Sequence, residues 1–410
     1  MSGTTFVTVG AGQAAAVAAR TLRRRGFDGR IILIGDEPHA PYQRPPLSKE
    51  FLSGTDTLES LALLPQAWLE KNDIEIITGV EVTRVDTGSR RVELDGHPPI
   101  VADAVLFATG GRPRTLPVPG PRPDLVHYLR TVDDAQRLRA ALTPGQRVVL
   151  IGAGFVGLEI AATATELGVE VTVLEAAAVP LGRVVGAKMG ALLADLHGAN
   201  GVHFRTGAAV KCLHTTEGSV IVEFADAPPL AADLVVVGIG ILPNVEVAAA
   251  SGLHVDNGIV VDAQGRTSIP NVFAAGDVAR RYSTRAGSHV RVEHFDNANK
   301  QGAATANAML GRDAVSDEPN WFWSDQYGRN IQFVGTASAS GDVVIRGDLE
   351  ALDFTAFYLD GSTVCGAFTI DRGEDVMAIR ELLGRVADTG MLIDENTDLW
   401  DLAETAEAVL

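Results

Sequence analysis

The feature that most constrains the fold is a glycine-spaced turn between a strand and a helix, and it occurs twice. In residues 4–20, TTFVTVGAGQAAAVAAR, a β-branched run leads into Gly10-x-Gly12-x-x-Ala15 and then into an Ala-rich segment. The first glycine permits a tight turn, the second lets backbone amides approach a pyrophosphate, and the third small residue lets the helix pack on the strand. This segment therefore predicts a βαβ unit that binds a dinucleotide.

The second copy lies in residues 147–175, RVVLIGAGFVGLEIAATATELGVEVTVLE. It contains a strand, a G-x-G-x-x-G turn, a helix and a second strand in the same order. Its candidate contacts to a dinucleotide are Gly152, Gly154, Phe155, Val156 and Gly157. Two complete units of this kind are hard to produce by chance in one chain, so the sequence predicts that two dinucleotides are bound.

An acidic residue at the end of each second strand is predicted to bind the ribose of its dinucleotide. After IILIG, Asp36 is the first choice and Glu37 the second, whereas the strand of the second copy ends at Glu175. Glu175 would accept a hydrogen bond from a 2′-hydroxyl and repel a 2′-phosphate, and the next three residues are alanines. The second site is therefore predicted to prefer NADH over NADPH, with Arg183 as the nearest cation that could turn back toward the ribose.

Length and charge limit the class of protein. A chain of 410 residues exceeds the size of a single core, about 250 to 300 residues, so two or three domains are expected. The net charge of −18 disfavours nucleic acid and anionic membranes as partners. Strand-like sequence begins almost at Met1, and no apolar run approaches the roughly 20 residues that span a bilayer, so a cytoplasmic protein is expected.

The sulfur and imidazole side chains give no sign of a metal site. Cys212 and Cys365, the two cysteines of the chain, form no local pair and are expected to be small core residues. The nine histidines show no metal-ligand spacing. The sequence therefore predicts neither a metal nor a local disulfide.

Three further motifs accompany the glycine turns in a fixed order. ATGG lies between the two copies, GIG follows the second copy, and AAGD comes later. Their candidate residues are Ala108, Thr109, Gly110, Gly240, Gly276 and Asp277. Over about residues 1–310, this order resembles the pyridine-nucleotide-disulfide reductase superfamily, in which the first turn takes FAD and the second takes the nicotinamide dinucleotide.

The resemblance implies an α/β fold with two Rossmann-like domains, as in glutathione reductase, and a small C-terminal α+β domain. The FAD domain would comprise residues 1–112 and 241–320, the NAD domain residues 113–240, and the C-terminal domain residues 321–410. FAD and NADH are the expected cofactors, and Asp277 would bind a ribityl hydroxyl of the flavin.

The loop YQRPPLSK, residues 42–49, separates this chain from the disulfide reductases. Those enzymes carry a C-x4-C pair just after the second strand of the FAD domain, whereas this loop contains no cysteine. Without a thiol pair there is no covalent two-electron relay, so the reduced flavin must pass its electrons directly to an outside acceptor.

The stretch RPPLSKEFL resembles the NADH-dependent ferredoxin reductases of bacterial oxygenase systems, which feed Rieske-type dioxygenases and cytochromes P450. The resemblance implies that Lys49 lies beside the isoalloxazine and stabilises reduced flavin, with Arg44 and Pro45 as further cofactor contacts. It also implies that Glu159, in GFVGLEIAA, lies near the nicotinamide, and that Arg130, in LRTVDDA, lies at the FAD phosphates. We therefore expect hydride from NADH to reach FAD and single electrons to pass to a [2Fe-2S] ferredoxin.

The stretch VEHFDNA departs from that family at one position. It carries Phe295 where tryptophan usually borders the nicotinamide, so weaker stacking between NAD and reduced flavin is expected. Glu293 and His294, beside it, and Val82 complete the expected cofactor contacts. The expected catalytic residues are Lys49, Glu159 and Phe295.

A basic cluster after the AAGD motif is hypothesised to dock an acidic ferredoxin. Its members are Arg280, Arg281, Arg285 and Arg291. The motifs also fit a rubredoxin reductase or an NADH oxidase, and EHFDNA leans toward a redox-sensing interaction protein resembling apoptosis-inducing factor. RPPLSK and the C-terminal W-S-D-Q stretch favour the ferredoxin reductase, as a monomer or weak homodimer.

Overall fold

The computed structural model describes residues 3–117, 124–216, 218–315, 317–337 and 341–408. The chain divides into two compact units. The first unit comprises residues 1–45, 57–112 and 241–318, and the second comprises residues 46–56, 113–240 and 319–410. The division between Pro45 and Pro46 therefore falls inside the proline-containing loop.

Helices and strands alternate through the first two thirds of the described chain, and strands dominate the last third. The helices are α1 Gln13–Arg24, α2 Glu50–Ser53, α3 Gln66–Lys71, α4 Val132–Ala141, α5 Phe155–Glu166, α6 Gly182–Ala199, α7 Glu246–Ala250, α8 Phe295–Met309, α9 Asp375–Leu382, α10 Thr389–Ile393 and α11 Leu399–Thr405. The strands up to the second glycine turn are β1 Thr5–Val9, β2 Arg30–Ile34, β3 Ile74–Ile77, β4 Val82–Asp86, β5 Arg91–Leu94, β6 His97–Val101, β7 Ala104–Phe107, β8 Gly111–Pro113, β9 Val126–Tyr128 and β10 Arg147–Ile151. Those that follow are β11 Glu170–Glu175, β12 His203–Thr206, β13 Val210–Thr216, β14 Ser219–Phe224, β15 Leu230–Ala232, β16 Leu234–Val237, β17 Ile241–Pro243, β18 Ile259–Val261, β19 Val272–Ala274, β20 Ala279–Ser283, β21 Ser288–Val290, β22 Trp321–Gln326, β23 Arg329–Gly335, β24 Asp342–Asp348, β25 Asp353–Asp360, β26 Thr363–Ile370, β27 Arg385–Val386 and β28 Glu407–Ala408.

A five-stranded parallel sheet forms the centre of the first unit, in the order β3-β2-β1-β7-β19. Its strands are apolar and contribute to two core clusters, as expected of parallel strands covered on both faces. Helix α1 packs so closely on α8 that a Cβ at Gly302 would lie 2.5 Å from the carbonyl oxygen of Ala14. The strand order reverses beside β1, so the carboxyl end of β1 is where such a sheet offers a binding crevice. Two smaller sheets, β4-β5-β6 and β18-β20-β21, also lie in this unit.

The second unit repeats the parallel sheet in the order β12-β11-β10-β16-β9. It also contains an antiparallel sheet, β22-β23-β26-β25-β24, which β27 and β28 extend. The core around Leu150 and Val173 of the parallel sheet is continuous with Phe322, Phe333 and Phe368 of the antiparallel sheet. Helix α5, which follows the second glycine turn, joins the two, because Phe155 packs on Phe322 with ring centroids 4.1 Å apart.

The predicted fold class, two Rossmann-like parallel sheets and a C-terminal antiparallel domain, is confirmed. The domain limits inferred from the sequence stay predictions. Within the described ranges, none of the helices combines the length and the apolar character needed to cross a bilayer. The cytoplasmic location expected from the sequence also stays a prediction.

Candidate functional site

The first glycine turn forms an open cradle between β1 and α1. Gly10 has a φ of +103°, and a Cβ there would lie 2.3 Å from the carbonyl oxygen of Ala108, so only glycine fits. Gly12 is the N-cap of α1 without a side-chain capping bond, and a Cβ added to it would meet no described atom within 4 Å. Ala15 is fully buried against the sheet. The amides that open α1 are thus left for an anion such as the FAD pyrophosphate.

The second glycine turn has the same construction between β10 and α5. Gly152 has a φ of +104°, and its added Cβ would lie 2.3 Å from the carbonyl oxygen of Gly238. Gly154 caps α5 without a side-chain bond and faces open space, while a Cβ at Gly157 would lie 2.3 Å from the Gly152 oxygen. Val156, in the first turn of α5, is 45% exposed. This cradle fits a second pyrophosphate.

The acid of the second copy is fixed by the glycine turn itself. The carboxylate of Glu175, the last residue of β11, accepts from the backbone amides of Ala153 and Ala177, each at 2.8 Å. Two amides therefore hold both carboxylate oxygens where an adenosine ribose would meet the turn. Arg183 is exposed at the start of α6, where a left-handed Leu181 caps the helix.

The acid of the first copy arises differently. Ile34 pairs with Val9 as Leu174 pairs with Ile151, so the ladder register places Gly35 at the position equivalent to Glu175. A Cβ at Gly35 would lie 2.9 Å from the Cβ of Ala11, which leaves no room for an acidic side chain. The two copies differ by one residue at this point. The acid directly follows Leu174 in the second copy, as Glu175, whereas Gly35 precedes the acids in the first copy.

The two candidate acids of the first copy have different surroundings. Asp36 is exposed, whereas Glu37 is half-buried and accepts from the hydroxyl of Tyr42 and from Arg44 Nη2 at 2.5 Å. The Arg44 guanidinium lies over the Tyr42 ring at 5.2 Å from its centroid. The basic loop thus orders Glu37 rather than Asp36.

A second carboxylate approaches the same arginine. Burial lowers the pKa of Arg44, but electrostatic interactions with Tyr42, Glu37 and Asp277 and the hydrogen bond to Glu37 outweigh burial and raise that pKa above its ordinary value. Asp277 lies in a short 3-10 helix, Gly276–Val278, whose first amide donates to Gln301 Oε1 at 2.9 Å. The first unit therefore brings Glu37, Arg44 and Asp277 into one electrostatic group.

The other predicted cofactor contacts lie at or next to the ends of strands and helices. In the first unit they are Pro45, Val82, Ala108, Thr109, Gly110, Gly276, Glu293, His294 and Phe295, and in the second they are Arg130 and Gly240. Gly110 and Gly240 have φ values of +60° and +97°, which favour glycine. His294 is the N-cap of α8, and the partly buried Phe295 is its first residue.

Lys49 and Glu159 form a buried ion pair within the second unit. Lys49 Nζ lies 3.0 Å from Glu159 Oε2, and the two side chains are 11% and 7% exposed. Ser48 Oγ donates to the same oxygen at 2.5 Å, and Ser324 Oγ donates to Oε1 at 2.7 Å. Thr163, one turn further along α5, donates to the Ser48 carbonyl at 2.8 Å and so fixes the loop to the helix. The lysine is therefore half of a neutral pair rather than an isolated positive charge.

Sequence reasoning missed both serines that bind Glu159. Ser48 is inside the quoted loop and Ser324 is inside W-S-D-Q, but nothing local marks either as a partner of a helix more than a hundred residues away. The structure shows the reason, because Ser324 and Gln326 are buried on one face of β22 although both are polar. Buried polar pairs on one face of a strand indicate a hydrogen-bond network.

Residues 4–302 match the pyridine nucleotide-disulphide oxidoreductase family, and residues 321–403 match the reductase C-terminal family. The chain belongs to the pyridine nucleotide-disulphide oxidoreductase family. One relative is the ferredoxin–NAD(+) reductase component of the anthranilate 1,2-dioxygenase system of Burkholderia cepacia. The two chains are 40% identical over 402 residues, and the match covers 97% of this chain and 99% of the relative. Rhodocoxin reductase of Rhodococcus erythropolis is 40% identical over 379 residues, 92% of this chain and 89% of that one. The solved structure of the covalent putidaredoxin reductase–putidaredoxin complex matches with a TM-score of 0.92 at 36% identity, over 98% of this chain and 99% of that chain.

FAD and NADH are the cofactors of this oxidoreductase, and the two glycine turns fit them. Each turn leaves the first amides of a 12-residue helix without a side-chain cap and with open space at the second glycine. Despite the family name, both cysteines are free and neither lies in the loop of residues 42–49. The loop of residues 42–49 therefore supplies no thiol.

Three of the four arginines proposed for docking pair with acids of the oxidoreductase's first unit. Arg281 is 7% exposed and lies 3.3 Å from Asp317. Arg291 pairs with Glu293 at 2.6 Å, and Arg280 pairs with Asp256. Arg285 is exposed. Because Arg281 is buried, the expectation that it lies on a docking surface is wrong, and its aromatic neighbour in sequence, Tyr282, is exposed instead.

Three possible metal ligands meet on a small antiparallel sheet of the second unit, β13-β14-β15, which we call the outer sheet. Cys212 and His214 lie on one face of β13, and Glu223 on β14 pairs directly with Cys212. Cys212 Sγ is 2.9 Å from His214 Nε2 and 3.5 Å from Glu223 Oε2. Spacing along the sequence gave no sign of this group, because the third member comes from the neighbouring strand. Cys212 is half-exposed rather than a core residue.

Proposed function

We propose that this oxidoreductase takes hydride from NADH onto FAD and passes electrons one at a time to a [2Fe-2S] ferredoxin that serves a cytochrome P450 or a Rieske-type oxygenase. The observation that carries the proposal is the combination of two open glycine turns with a loop, residues 42–49, that has no cysteine. Two dinucleotides have cradles in the chain, but no thiol pair stands in that loop to store two electrons. The electrons must therefore leave directly for an outside acceptor.

The relatives support a ferredoxin as that acceptor. One is the ferredoxin reductase component of a dioxygenase system, and a solved neighbour is putidaredoxin reductase joined covalently to putidaredoxin. Each match covers nearly the whole chain, including the C-terminal region that carries W-S-D-Q. We infer an acceptor of the same class for this protein.

The chain's own contribution is binding and orientation. When bound, FAD and NADH supply the hydride transfer and the one-electron steps. Gly10 and Gly12 would hold the FAD pyrophosphate, and Gly152 and Gly154 that of NADH. Catalysis then depends on holding the two ring systems in register, which needs no general acid or base.

We propose that the ribose of each cofactor meets a different kind of acid. Glu175 would accept the 2′-hydroxyl of NADH while both its oxygens stay fixed by backbone amides. A 2′-phosphate would meet that fixed negative charge, so NADPH would be disfavoured. On the FAD side, Glu37 is the better candidate than Asp36, because Tyr42 and Arg44 hold it in place.

We propose that Lys49 and Glu159 act as a pair at the reacting rings, with Phe295 bordering the nicotinamide. Lys49 would stabilise negative charge on reduced flavin, and Glu159 would orient the carboxamide of the nicotinamide. The carboxylate at 3.0 Å reduces the long-range field of the lysine. The lysine therefore acts through short-range hydrogen bonding more than through net charge.

For the docking surface, we propose Arg285 as the principal cation. It is the exposed member of the four arginines, whereas Arg280, Arg281 and Arg291 are engaged with acids of the same unit. Charge reversal by Arg285→Glu should raise the apparent KM for ferredoxin several-fold and leave reduction of a small dye unchanged, since steering acts on the charged partner. An unchanged KM would remove this surface from the proposal.

The deciding experiment is anaerobic reduction of cytochrome c by the FAD-loaded protein, with NADH or NADPH, in the presence and absence of a [2Fe-2S] ferredoxin. Strong stimulation by ferredoxin with NADH, and weak activity with NADPH, is the expected result. Rapid oxygen consumption without ferredoxin would indicate an NADH oxidase instead. Stimulation by rubredoxin but not by ferredoxin would change the acceptor, and an NADH-dependent change of oligomeric state with little turnover would indicate a redox sensor.

A further inference from the structure

A buried chain of hydrogen bonds leads away from Glu159 through the second unit. Ser324 Oγ donates to Glu159 Oε1 at 2.7 Å, and Gln326 Nε2 donates to Ser324 Oγ at 2.8 Å. Gln326 Oε1 lies 2.7 Å from His197 Nε2, and His197 Nδ1 lies 2.9 Å from the hydroxyl of Tyr327. The chain thus connects α5, β22 and α6 through side chains alone.

The members of this chain lie almost entirely out of solvent. Ser324 and His197 are 0% exposed, Gln326 is 3% and Glu159 is 6% exposed. A buried polar group without its partner is destabilising, so four such groups persist together because each satisfies the next. The arrangement therefore has a single well-defined geometry.

The direction of every hydrogen bond follows from the chemistry of the groups. Ser324 gives its one proton to the carboxylate, so its oxygen accepts from the amide of Gln326. The carbonyl end of that amide can only accept, so His197 carries its proton on Nε2. His197 Nδ1 then accepts from Tyr327. All four bonds donate toward Glu159.

The neutral imidazole fits this assignment. Burial lowers the pKa of His197 to about 4, against the opposing hydrogen bond to Gln326. A neutral ring has one donor and one acceptor nitrogen, which is what its position between Gln326 and Tyr327 requires. Aligned donors of this kind also polarise one another and strengthen the bond to the final acceptor.

We propose that His197 is a positioning residue for NADH oxidation: it fixes the Gln326 amide, which orients the Ser324 hydroxyl. That hydroxyl holds Glu159 Oε1, while Oε2 faces Ser48, Lys49 and the nicotinamide. The inference rests on the proposed role of Glu159 in orienting NADH, but not on the identity of the acceptor. If the amide of Gln326 loses its donor, it can rotate, and Ser324 no longer has one preferred direction. The carboxylate then loses one of its fixed contacts.

The test compares two replacements of the same side chain. In His197→Gln, the amide nitrogen falls near the position of Nε2 and keeps the donor to Gln326, whereas His197→Asn places its amide near Nδ1 and loses that donor. Anaerobic stopped-flow reduction of the bound flavin by NADH gives a limiting rate and a dissociation constant separately. We expect the Asn variant to lower the limiting rate about tenfold, the value of one hydrogen bond, with the Gln variant near wild type.

Two controls separate positioning from stability. Thr369→Val removes a fully buried hydroxyl, with no described hydrogen-bond partner, from the antiparallel sheet of the same unit. This variant should leave the limiting rate of flavin reduction unchanged. Ser324→Ala breaks the chain at Glu159 and should match the Asn variant. Equal rates in the Asn and Gln variants, or a fall in melting temperature without a fall in the limiting rate, would overturn the proposal. Because the readout is flavin reduction, a failure of the ferredoxin assignment would leave this result intact.

A separate observation points to a metal site on the outer sheet. The Cys212, His214 and Glu223 side chains share one face of the β13–β14 pair, whose opposite face buries Leu213 and Val222. Thiolate, imidazole and carboxylate are the three ligand types that zinc prefers. Bond lengths of about 2.0–2.3 Å require ligand atoms about 3.3–3.6 Å apart in a tetrahedral site. Sγ lies 3.5 Å from Glu223 Oε2, whereas His214 Nε2 lies 3.2 Å from the other carboxylate oxygen, Oε1, and 2.9 Å from Sγ. A rotation of the Glu223 carboxylate and a small opening of the sulfur-to-nitrogen distance would therefore bring one atom of each side chain to tetrahedral spacing.

We propose that these three side chains bind a zinc-class divalent cation, with water in the fourth position. Isothermal titration of ZnCl2 into the FAD-loaded protein should show one site that Cys212→Ser weakens by more than about tenfold. Cys365→Ser, which removes the other thiol, is the matched control and should bind like wild type. Absence of binding, or equal binding by the two serine variants, would mean that the three groups only hydrogen-bond across the strands.

Discussion

The two glycine turns have nearly the same backbone, but the acids proposed to bind ribose are held beside them in different ways. At Gly10 and Gly152 the φ angles are +103° and +104°, and an added Cβ would clash with a carbonyl oxygen at 2.3 Å in both. The second copy then uses Glu175 at the strand end, held by backbone amides. The first copy has Gly35 at that register and orders Glu37 through the basic loop instead. The turn is set by local sterics, whereas the acid depends on what else packs beside it.

The largest effect is expected from placing a side chain at the first glycine of either turn. Gly10→Ala and Gly152→Ala each combine an unfavourable φ with a clash against backbone, which costs several kcal/mol, about 3 or more. We expect both variants to lose folded protein, measured as soluble yield and thermal melting. A variant that folds and binds its cofactor normally would show that the turn can relax. It would contradict the argument that sterics require glycine at this position in both copies.

The second glycines should separate the two cofactors. Gly12→Val and Gly154→Val meet open space in the protein, so the fold should survive, but the side chain would occupy the pyrophosphate cradle. We expect the first to lower FAD content and the second to raise the NADH dissociation constant by about a hundredfold while FAD stays bound. The paired variants serve as controls for each other, and loss of FAD from Gly154→Val would reverse the assignment of the two turns.

A smaller change is expected at the acid of the second copy. Glu175→Gln keeps shape and one amide contact but removes the charge that would repel a 2′-phosphate. The ratio of kcat/KM for NADH over NADPH should fall by about tenfold, measured by ferricyanide reduction. Arg183→Ala is the control, because Arg183 is exposed. If Arg183 does not reach the ribose, this substitution should leave kcat/KM unchanged for both NADH and NADPH.

The smallest effect is expected at the acids of the first copy, where the two candidates can be compared directly. Glu37→Gln weakens the charged contact to Arg44, so FAD affinity should fall a few-fold, consistent with about 1 kcal/mol for a half-buried ion pair. Asp36→Asn changes an exposed carboxylate and should leave FAD affinity within error. Fluorescence of released FAD during dilution measures both. A larger effect from Asp36→Asn would restore the sequence-based preference for that residue.

Local spacing was enough to predict the parallel sheets and both glycine turns, whereas the kind of oxidoreductase came from the resemblance of the motifs to known families. G-x-G-x-x-G and the motifs ATGG and AAGD report backbone geometry that depends on neighbours in sequence. The resemblance of RPPLSKEFL to ferredoxin reductases is confirmed by relatives at 40% identity. The roles assigned to single residues stay predictions.

Contacts over long separations could not be read from the sequence. Ser324 reaches Glu159 from 165 positions away, and Glu223 reaches Cys212 only because two strands pair in one register. Arg281 looked like a surface cation in its basic run, yet Asp317 pairs with it in a buried position. Ser324 and Arg281 are buried because a distant partner satisfies each of them, whereas Cys212 and Glu223 are half-exposed and meet across two strands. Hydropathy along the chain carries no information on such pairings.

The donor chain that ends at Glu159 also sets a rule for exchanging parts between relatives. A chimera that takes its last ninety or so residues, about 321–410, from another reductase would bring that protein's counterparts of Ser324 and Gln326 next to this protein's His197 and Glu159. Such chimeras should oxidise NADH at the normal rate when the other reductase supplies a hydroxyl and an amide at those two positions. They should oxidise NADH slowly when it does not. The C-terminal segment is thus a replaceable part whose compatibility is decided by two side chains.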